Sequence, residues 1–96
     1  MIRQTAAASD RVSVVEGVSA RAFDGDWIVL DLAGGNYYGL DELGGIIWNH
    51  LADQRSLQEV ATLLAPVYDV PEEIVLRDVM ALVSELVERG LVRINA

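Results

Sequence analysis

The sequence predicts an α+β domain in which a three-stranded antiparallel sheet is followed by a three-helix bundle. Two observations support this order. Short runs rich in β-branched and aromatic residues, separated by glycine turns, occupy residues 18–40. From residue 41 onward, apolar residues recur at helical spacing and the runs begin with helix-capping signals. Strands that come before the helices, instead of alternating with them, are typical of α+β folds.

The first two strands form a predicted hairpin. Val18–Phe23 and residues 26–32 flank Asp24 and Gly25, which both tolerate the positive φ of a two-residue hairpin turn. A third strand, Asn36–Leu40, follows a glycine turn. Residues 12–15 (VSVV) suggest an additional short strand, which the sequence alone leaves open.

The register of the third strand decides which residues face the core. A three-residue loop, 33–35, with glycine in the left-handed region aligns Tyr38 and Leu40 with Leu30 and Ile28. The predicted core face therefore holds Ile28, Leu30, Leu32, Tyr38 and Leu40. The outward face then carries Trp27, Val29, Asp31 and Tyr37. Its apolar members predict a contact surface, unless residues 12–15 fold over them.

Three helices follow the sheet. Asp41 is a good N-cap for the first, which runs to about residue 52. The glycine pair at 44–45 predicts close packing of this helix on the sheet. Residues 56–59 (SLQE) form a capping box that opens the second helix. Pro71 takes the first position of the third helix, and Gly90 stops it.

Composition excludes several classes of function. The 96 residues include no cysteine, so disulfides, thiolate metal sites and a cysteine nucleophile are absent. His50 is the only histidine, so it has no second histidine with which to share a metal, and we expect a packed side chain. The sequence thus predicts neither an enzyme nor a cofactor site.

Charge and hydropathy narrow the partners. The formal charge is −8, which favours a basic or neutral partner over a phosphate backbone. No apolar run approaches the roughly 18 residues that a membrane span needs. Residues 1–11 lack the apolar centre of a signal peptide, and we expect a flexible arm and a cytoplasmic protein. Residues 12–96 then form the single domain.

The third helix has more apolar surface than one core contact needs. One predicted stripe consists of Val75, Val79, Leu82 and Leu86, and a second consists of Leu76, Met80, Val83 and Val87. Either both stripes are buried in the core, or the second stripe faces a groove. The strand Asn36–Leu40 has no charge and no proline, so as a sheet edge it lacks the usual protection against pairing with another chain.

An unprotected edge beside a spare apolar stripe is what β-strand addition of a peptide requires. The predicted binding residues on the strand are Asn36, Tyr37, Tyr38, Gly39 and Leu40, and those on the helix are Leu76, Met80, Val83 and Val87. A strand too short to need protection is the other interpretation. A winged-helix DNA-binding domain has a similar element order, but its recognition helix would here be net acidic, and an unrelated interaction module stays open.

Several motifs in fixed order carry a family resemblance. They are the apolar strand ending at Asp31, the Tyr-Tyr-x-Leu strand, the helix containing Ile46, Ile47 and Trp48, the YDVPEE link at 68–73 and the closing ERGLV at 88–92. With this pattern the chain resembles the PqqD-like family, the RiPP recognition elements. Its small format and aromatic third strand are more similar to the free-standing lasso-peptide members than to the pyrroloquinoline quinone chaperone.

The resemblance implies a winged-helix-like, non-catalytic domain that captures the leader of a ribosomally made precursor as an added strand. It also implies delivery of that leader to a cysteine-protease-like leader peptidase and to an asparagine-synthetase-like cyclase. Under this resemblance we expect Trp27 and Val29 on the outward sheet face to contact the partner enzyme. A peptide chaperone for pyrroloquinoline quinone or another modified-peptide pathway is the alternative.

Overall fold

The computed structural model of the protein describes residues 6–95 and confirms the α+β class. Three helices follow four strands, and a fifth short strand closes the described chain. The elements are β1 (Val12–Val14), β2 (Val18–Phe23), β3 (Asp26–Asp31), β4 (Asn36–Leu40), α1 (Glu42–Ala52), α2 (Leu57–Tyr68), α3 (Glu72–Glu88) and β5 (Val92–Ile94).

The strands form two separate sheets. Strands β2, β3 and β4 make the predicted three-stranded antiparallel meander, in that spatial order. Strand β1 instead pairs with β5, so the optional strand of the sequence prediction exists but belongs to a second, two-stranded sheet. The ends of the described chain are thereby tied together, and β1 does not cover the meander.

The predicted register of β3 against β4 is wrong by one residue. Tyr38 lies opposite Val29 and Tyr37 lies opposite Leu30. The connecting loop has four residues because the carboxylate of Asp31 accepts from the Gly34 N–H at 3.1 Å and its carbonyl accepts from the Gly35 N–H at 2.9 Å. Since the side-chain period of a strand is two, this slip exchanges the two faces of β3.

The exchange corrects the predicted core face. Val29 is 0% exposed, so the prediction that it lies outward and contacts a partner enzyme is wrong. Trp27 is half-buried and packs against the core, so its predicted outward placement is also wrong, whereas its contact with a partner enzyme stays a prediction. Ile28 and Leu30 occupy the outer face instead, and Leu32 is 74% exposed in the loop. The inward placement of Tyr38 and Leu40 is confirmed, as is the outward placement of Tyr37.

Helix α1 lies directly on the inner face of the sheet. Asp41 caps it, with its carboxylate accepting from the Gly44 N–H at 2.7 Å. A methyl group at Gly45 would overlap the indole ring of Trp27, and one at Gly44 would press against Leu40. The predicted close packing of the glycine pair is confirmed.

Helix α2 begins with the predicted capping box. The Ser56 hydroxyl accepts from the Glu59 N–H at 3.1 Å, and the Glu59 carboxylate accepts from the Ser56 N–H at 2.8 Å. That backbone hydrogen bond is the main reason why the pKa of Glu59 lies below its ordinary value. Pro66 lies in the last turn of α2.

The segment 6–11 is not the free arm that the sequence predicted. The N–H groups of Leu57 and Gln58 donate to the carbonyls of Asp10 and Ala8 at 3.0 and 2.8 Å, and Ala6 is buried. These contacts satisfy donors at the start of α2 that have no partner within the helix. Residues 1–5 of the predicted arm lie outside the described residues.

Helix α3 packs across α2 and ends near β5. Its buried side chains are Val75, Val79, Val83 and Leu86. Gly90, at φ 73°, reverses the chain after the helix, as predicted. None of the helices in the described chain is long and apolar enough to cross a membrane.

Candidate functional site

Strand β4 is one edge of the three-stranded sheet. The Leu32 N–H donates to the Gly17 carbonyl, so the pair that these residues form between β2 and β3 is hydrogen-bonded. Because hydrogen-bonded and non-hydrogen-bonded pairs alternate, Val29 directs its backbone groups toward Tyr38. The N–H and C=O groups of Tyr37 and Gly39 consequently point away from the sheet, toward the free edge.

A cleft runs between this edge and α3, and Tyr38 divides it into two cavities. The larger has a volume of about 350 Å³ and lies at the end of β4 next to α1. Its lining includes Tyr38, Gly39, Leu40, Leu43, Ile47 and Leu82. The smaller, of about 220 Å³, lies at the beginning of β4 and is lined by Asn36, Tyr37, Tyr38, Arg89 and Leu91.

The Tyr38 side chain contacts α3 through Arg89. The guanidinium carbon lies 4.6 Å from the centre of the Tyr38 ring, within range of a cation–π interaction. The same guanidinium forms an ion pair with Glu85 at 3.1 Å. The Arg89 side chain is about half exposed, so its contact with the Tyr38 ring lies at the surface of the cleft.

The cleft has different charges at its two ends. Asp41 and Asp78 line the larger cavity together with aliphatic side chains of β4, α1 and α3. Arg89 lines the smaller cavity, and its guanidinium forms an ion pair with the Glu85 carboxylate. A bound strand would meet carboxylates near Leu40 and a guanidinium near Asn36.

All five strand residues predicted for binding line the cleft, whereas the predicted helix residues do not. Asp78 and Leu82 of α3 line the larger cavity, and Arg89, the C-cap of α3, lines the smaller one. Val83 is fully buried, so its predicted contact with a peptide is wrong. Leu76, Met80 and Val87 are half-buried on the opposite flank of α3 and line neither of these two cavities, so their contact with a peptide stays a prediction.

The physical reason is the rotation of α3 about its axis. Its fully buried line runs through Val79, Val83 and Leu86, and apolar side chains border this line on both flanks. Periodicity identifies both flanks but does not say which one meets the sheet. Leu82, which the sequence assigned to the core stripe, is the only large aliphatic residue of α3 that lines either cavity.

No metal-binding cluster accompanies the cleft in the described part of the chain. Residues 6–95 contain no group of three or more His, Asp or Glu side chains that could hold a metal ion. His50 lies at the end of α1, with its Nδ1 3.3 Å from an Arg55 nitrogen. The site offers a backbone edge and two shallow cavities, which are features of a binding module.

Comparison with protein-family models assigns this protein to a class. Residues 26–92 match the family model described as coenzyme PQQ synthesis protein D (PqqD), which spans more than half of the chain. The chain therefore belongs to the PqqD family. Comparison with curated proteins finds no match.

Two solved structures are similar over most of their length. One is described as TbiB1 in complex with the TbiA(beta) leader peptide; it is 26% identical, with a TM-score of 0.76 over 83% of this chain and 93% of that chain. The other is described as lasso peptide synthetase B1 complexed with the leader peptide. It is 29% identical, with a TM-score of 0.79 over 85% of this chain and 96% of that chain.

Proposed function

We propose that this protein binds the leader peptide of a ribosomally synthesised precursor, of the lasso-peptide kind, by adding it as a strand to β4. The observation that carries the proposal is the unpaired β4 edge that opens directly onto the cleft lined by α3. Backbone pairing at such an edge supplies general affinity, and alternate side chains entering a groove supply specificity.

The comparisons support the same activity. Both similar solved structures are described as complexes with a leader peptide, and one is described as a lasso peptide synthetase B1. The identity and coverage of both structures support a shared use of the fold. Residues 12–96 are the proposed leader-binding domain, with residues 8 and 10 docked on α2 by backbone hydrogen bonds.

In the proposed complex, the outward backbone groups of Tyr37 and Gly39 pair with the leader. Leader side chains that point inward enter the cavities on either side of Tyr38. The larger cavity, with Leu40, Leu43 and Leu82, takes an apolar side chain. The smaller cavity is more polar and takes a side chain that tolerates Arg89.

The remaining parts of the proposal rest on the family resemblance. The protein acts in the cytoplasm without catalysis of its own, and it delivers the leader to a cysteine-protease-like peptidase and an asparagine-synthetase-like cyclase. We also propose that the fold is winged-helix-like, because a three-stranded sheet with three helices is compatible with that fold.

A peptide chaperone for pyrroloquinoline quinone synthesis is the second candidate, because the matching family model carries that description. The two candidates share the binding mode and differ in the precursor. The precursor that binds therefore distinguishes them.

Calorimetry with the precursor peptide encoded beside this protein's gene tests the proposal. The full precursor and its isolated leader should bind with similar affinity, and the isolated core peptide should not bind. A scrambled leader of the same composition is the control for charge attraction to the acidic protein. Equal binding of the scrambled and native leaders, or binding through the core peptide, would contradict leader recognition.

A further inference from the structure

The outer face of the three-stranded sheet carries an apolar patch that shares only Tyr37 with the leader cleft. Cross-strand pairing places Phe23, Ile28, Leu30 and Tyr37 on this face, and we call these residues the outer patch. Phe23 is 66% exposed and Tyr37 is 77% exposed. Exposed apolar clusters of this kind on a small monomeric domain mark interaction surfaces.

No described part of the chain covers the outer patch. Helix α1 packs on the opposite face, where Gly45 meets Trp27. Strand β1 pairs with β5, and the backbone of Ala8 and Asp10 is bound to the start of α2. Within residues 6–95, the segments that could have folded over the patch are therefore engaged elsewhere.

A groove crosses the patch at Gly39. The groove has a volume of about 510 Å³, and its walls include Phe23, Ile28 and Tyr37. A side chain at Gly39 would meet no atom within 4 Å, so the missing side chain contributes open space. This space suits a single apolar side chain inserted from a partner.

The charges around the groove indicate the chemistry of that partner. Asp26 and Asp41 line the groove, and Asp24 is exposed in the adjacent hairpin turn. Arg21, opposite Ile28, is the one basic residue that the three strands place on this face. The whole chain carries a formal charge of −8, so a second copy would bring like charges together, whereas a basic surface would be attracted.

We propose that the outer patch docks a partner protein that inserts an apolar side chain at Gly39 and places lysine or arginine residues against Asp24, Asp26 and Asp41. Resting on the proposed function, the fitting partner is the enzyme that processes the leader. The leader cleft lies between β4 and α3, and the outer patch lies on the other side of β4. Leader and enzyme can therefore occupy the domain together.

The test uses two double variants and the purified leader peptidase encoded beside this protein's gene. Phe23→Thr with Leu30→Thr removes apolar surface while keeping strand-forming residues. Asp24→Asn with Asp26→Asn removes two charges, and asparagine tolerates the left-handed φ of 51° at position 24. Leu63→Thr with Val67→Thr, at exposed positions on α2, and Glu73→Gln with Glu88→Gln, on α3, are the matched controls.

We expect the apolar outer-patch variant to weaken peptidase binding at least about tenfold, measured by calorimetry, while leader affinity stays within about twofold. The charge variant should slow association and reduce its salt dependence. The control variants should behave as wild type. Peptidase binding that matches the controls would overturn the proposal, as would a homodimer that the apolar variant abolishes.

The leader arm of the same experiment separates this inference from the proposed function. Wild-type protein that binds the leader, but whose outer-patch variants recruit the peptidase normally, refutes the docking surface alone. Wild-type protein that fails to bind the leader refutes the proposed function, and the assignment of the partner falls with it. Loss of leader affinity in the outer-patch variants would move the leader site to this face and overturn the inference.

Discussion

The two edge strands of the sheet, β2 and β4, both present unpaired backbone groups, yet only β4 adjoins the cleft that α3 lines. Strand β2 has six residues, most of them exposed, and includes Arg21. Strand β4 has five residues without a charge, and its inward side chains Tyr38 and Leu40 line cavities shared with α3. Hydrogen-bonding capacity alone therefore does not define a binding edge; the adjacent apolar volume does.

Proline substitutions at the two edges should give the largest difference in leader binding between β4 and β2. Gly39 and Ala22 both direct their N–H groups away from β3, so proline at either position removes an edge donor without removing a sheet hydrogen bond. We expect Gly39→Pro to weaken leader binding at least about tenfold, through the lost bond and the bulk of the ring. Ala22→Pro should change it less than about twofold.

Gly39→Ala is the control for the proline ring, since it keeps the donor and its methyl group has open space. Circular dichroism must show that all three variants are folded. Equal losses at Gly39 and Ala22 would mean that the two edges are equivalent, which contradicts the comparison.

The next largest effect should come from the cleft beside β4. Leu82 lines the larger cavity, whereas Met80 is half-buried on the opposite flank of α3. Leu82→Glu places a charge where an apolar leader side chain is expected, so binding should fall about tenfold or more in calorimetry. Met80→Glu also introduces a partly buried charge and should destabilise the fold to a similar extent. The leader affinity of the folded fraction should stay unchanged. A larger loss with Met80→Glu would place the leader on the other flank.

A smaller effect is expected from the bridge across the cleft. Arg89→Gln removes the cation that holds the Tyr38 ring between the two cavities. A surface cation–π contact contributes about 0.5–1 kcal/mol, so ordering the freed ring on binding should lower leader affinity by at most about two- to fivefold. Arg77→Gln, at an exposed position on α3, makes the same change in net charge. If both variants change leader affinity equally, the effect of Arg89 is only its charge.

The sequence predicted the β4 side of the cleft better than its α3 side. Signals within a few residues of one another, such as the Asp24–Gly25 turn, the Ser56–Glu59 capping box and Gly90, gave the elements and their order, and the structure confirms them. The uncharged run Asn36–Leu40 gave the free edge. Each of these inferences depends on local backbone chemistry, which the sequence states directly.

The errors lie where long-range geometry decides. The faces of β3 were exchanged because hydrogen bonds from Gly34 and Gly35 to Asp31 make a four-residue loop, and a one-residue slip reverses a strand. The flank of α3 that meets the sheet depends on how the helices cross, and the apolar pattern of α3 is similar on both sides. Docking of residues 6–11 was missed because its contacts are to backbone groups at the start of α2.

Amide hydrogen exchange tests the central claim most directly, because it reports on single N–H groups at both edges of one sheet. Without leader, the outward N–H groups of Tyr37 and Gly39 on β4 and of Ala20 and Ala22 on β2 should all exchange quickly. Saturation with leader should protect Tyr37 and Gly39 and leave Ala20 and Ala22 unchanged. Protection of the β2 amides, or tight leader binding without protection of the β4 amides, would contradict strand addition at β4.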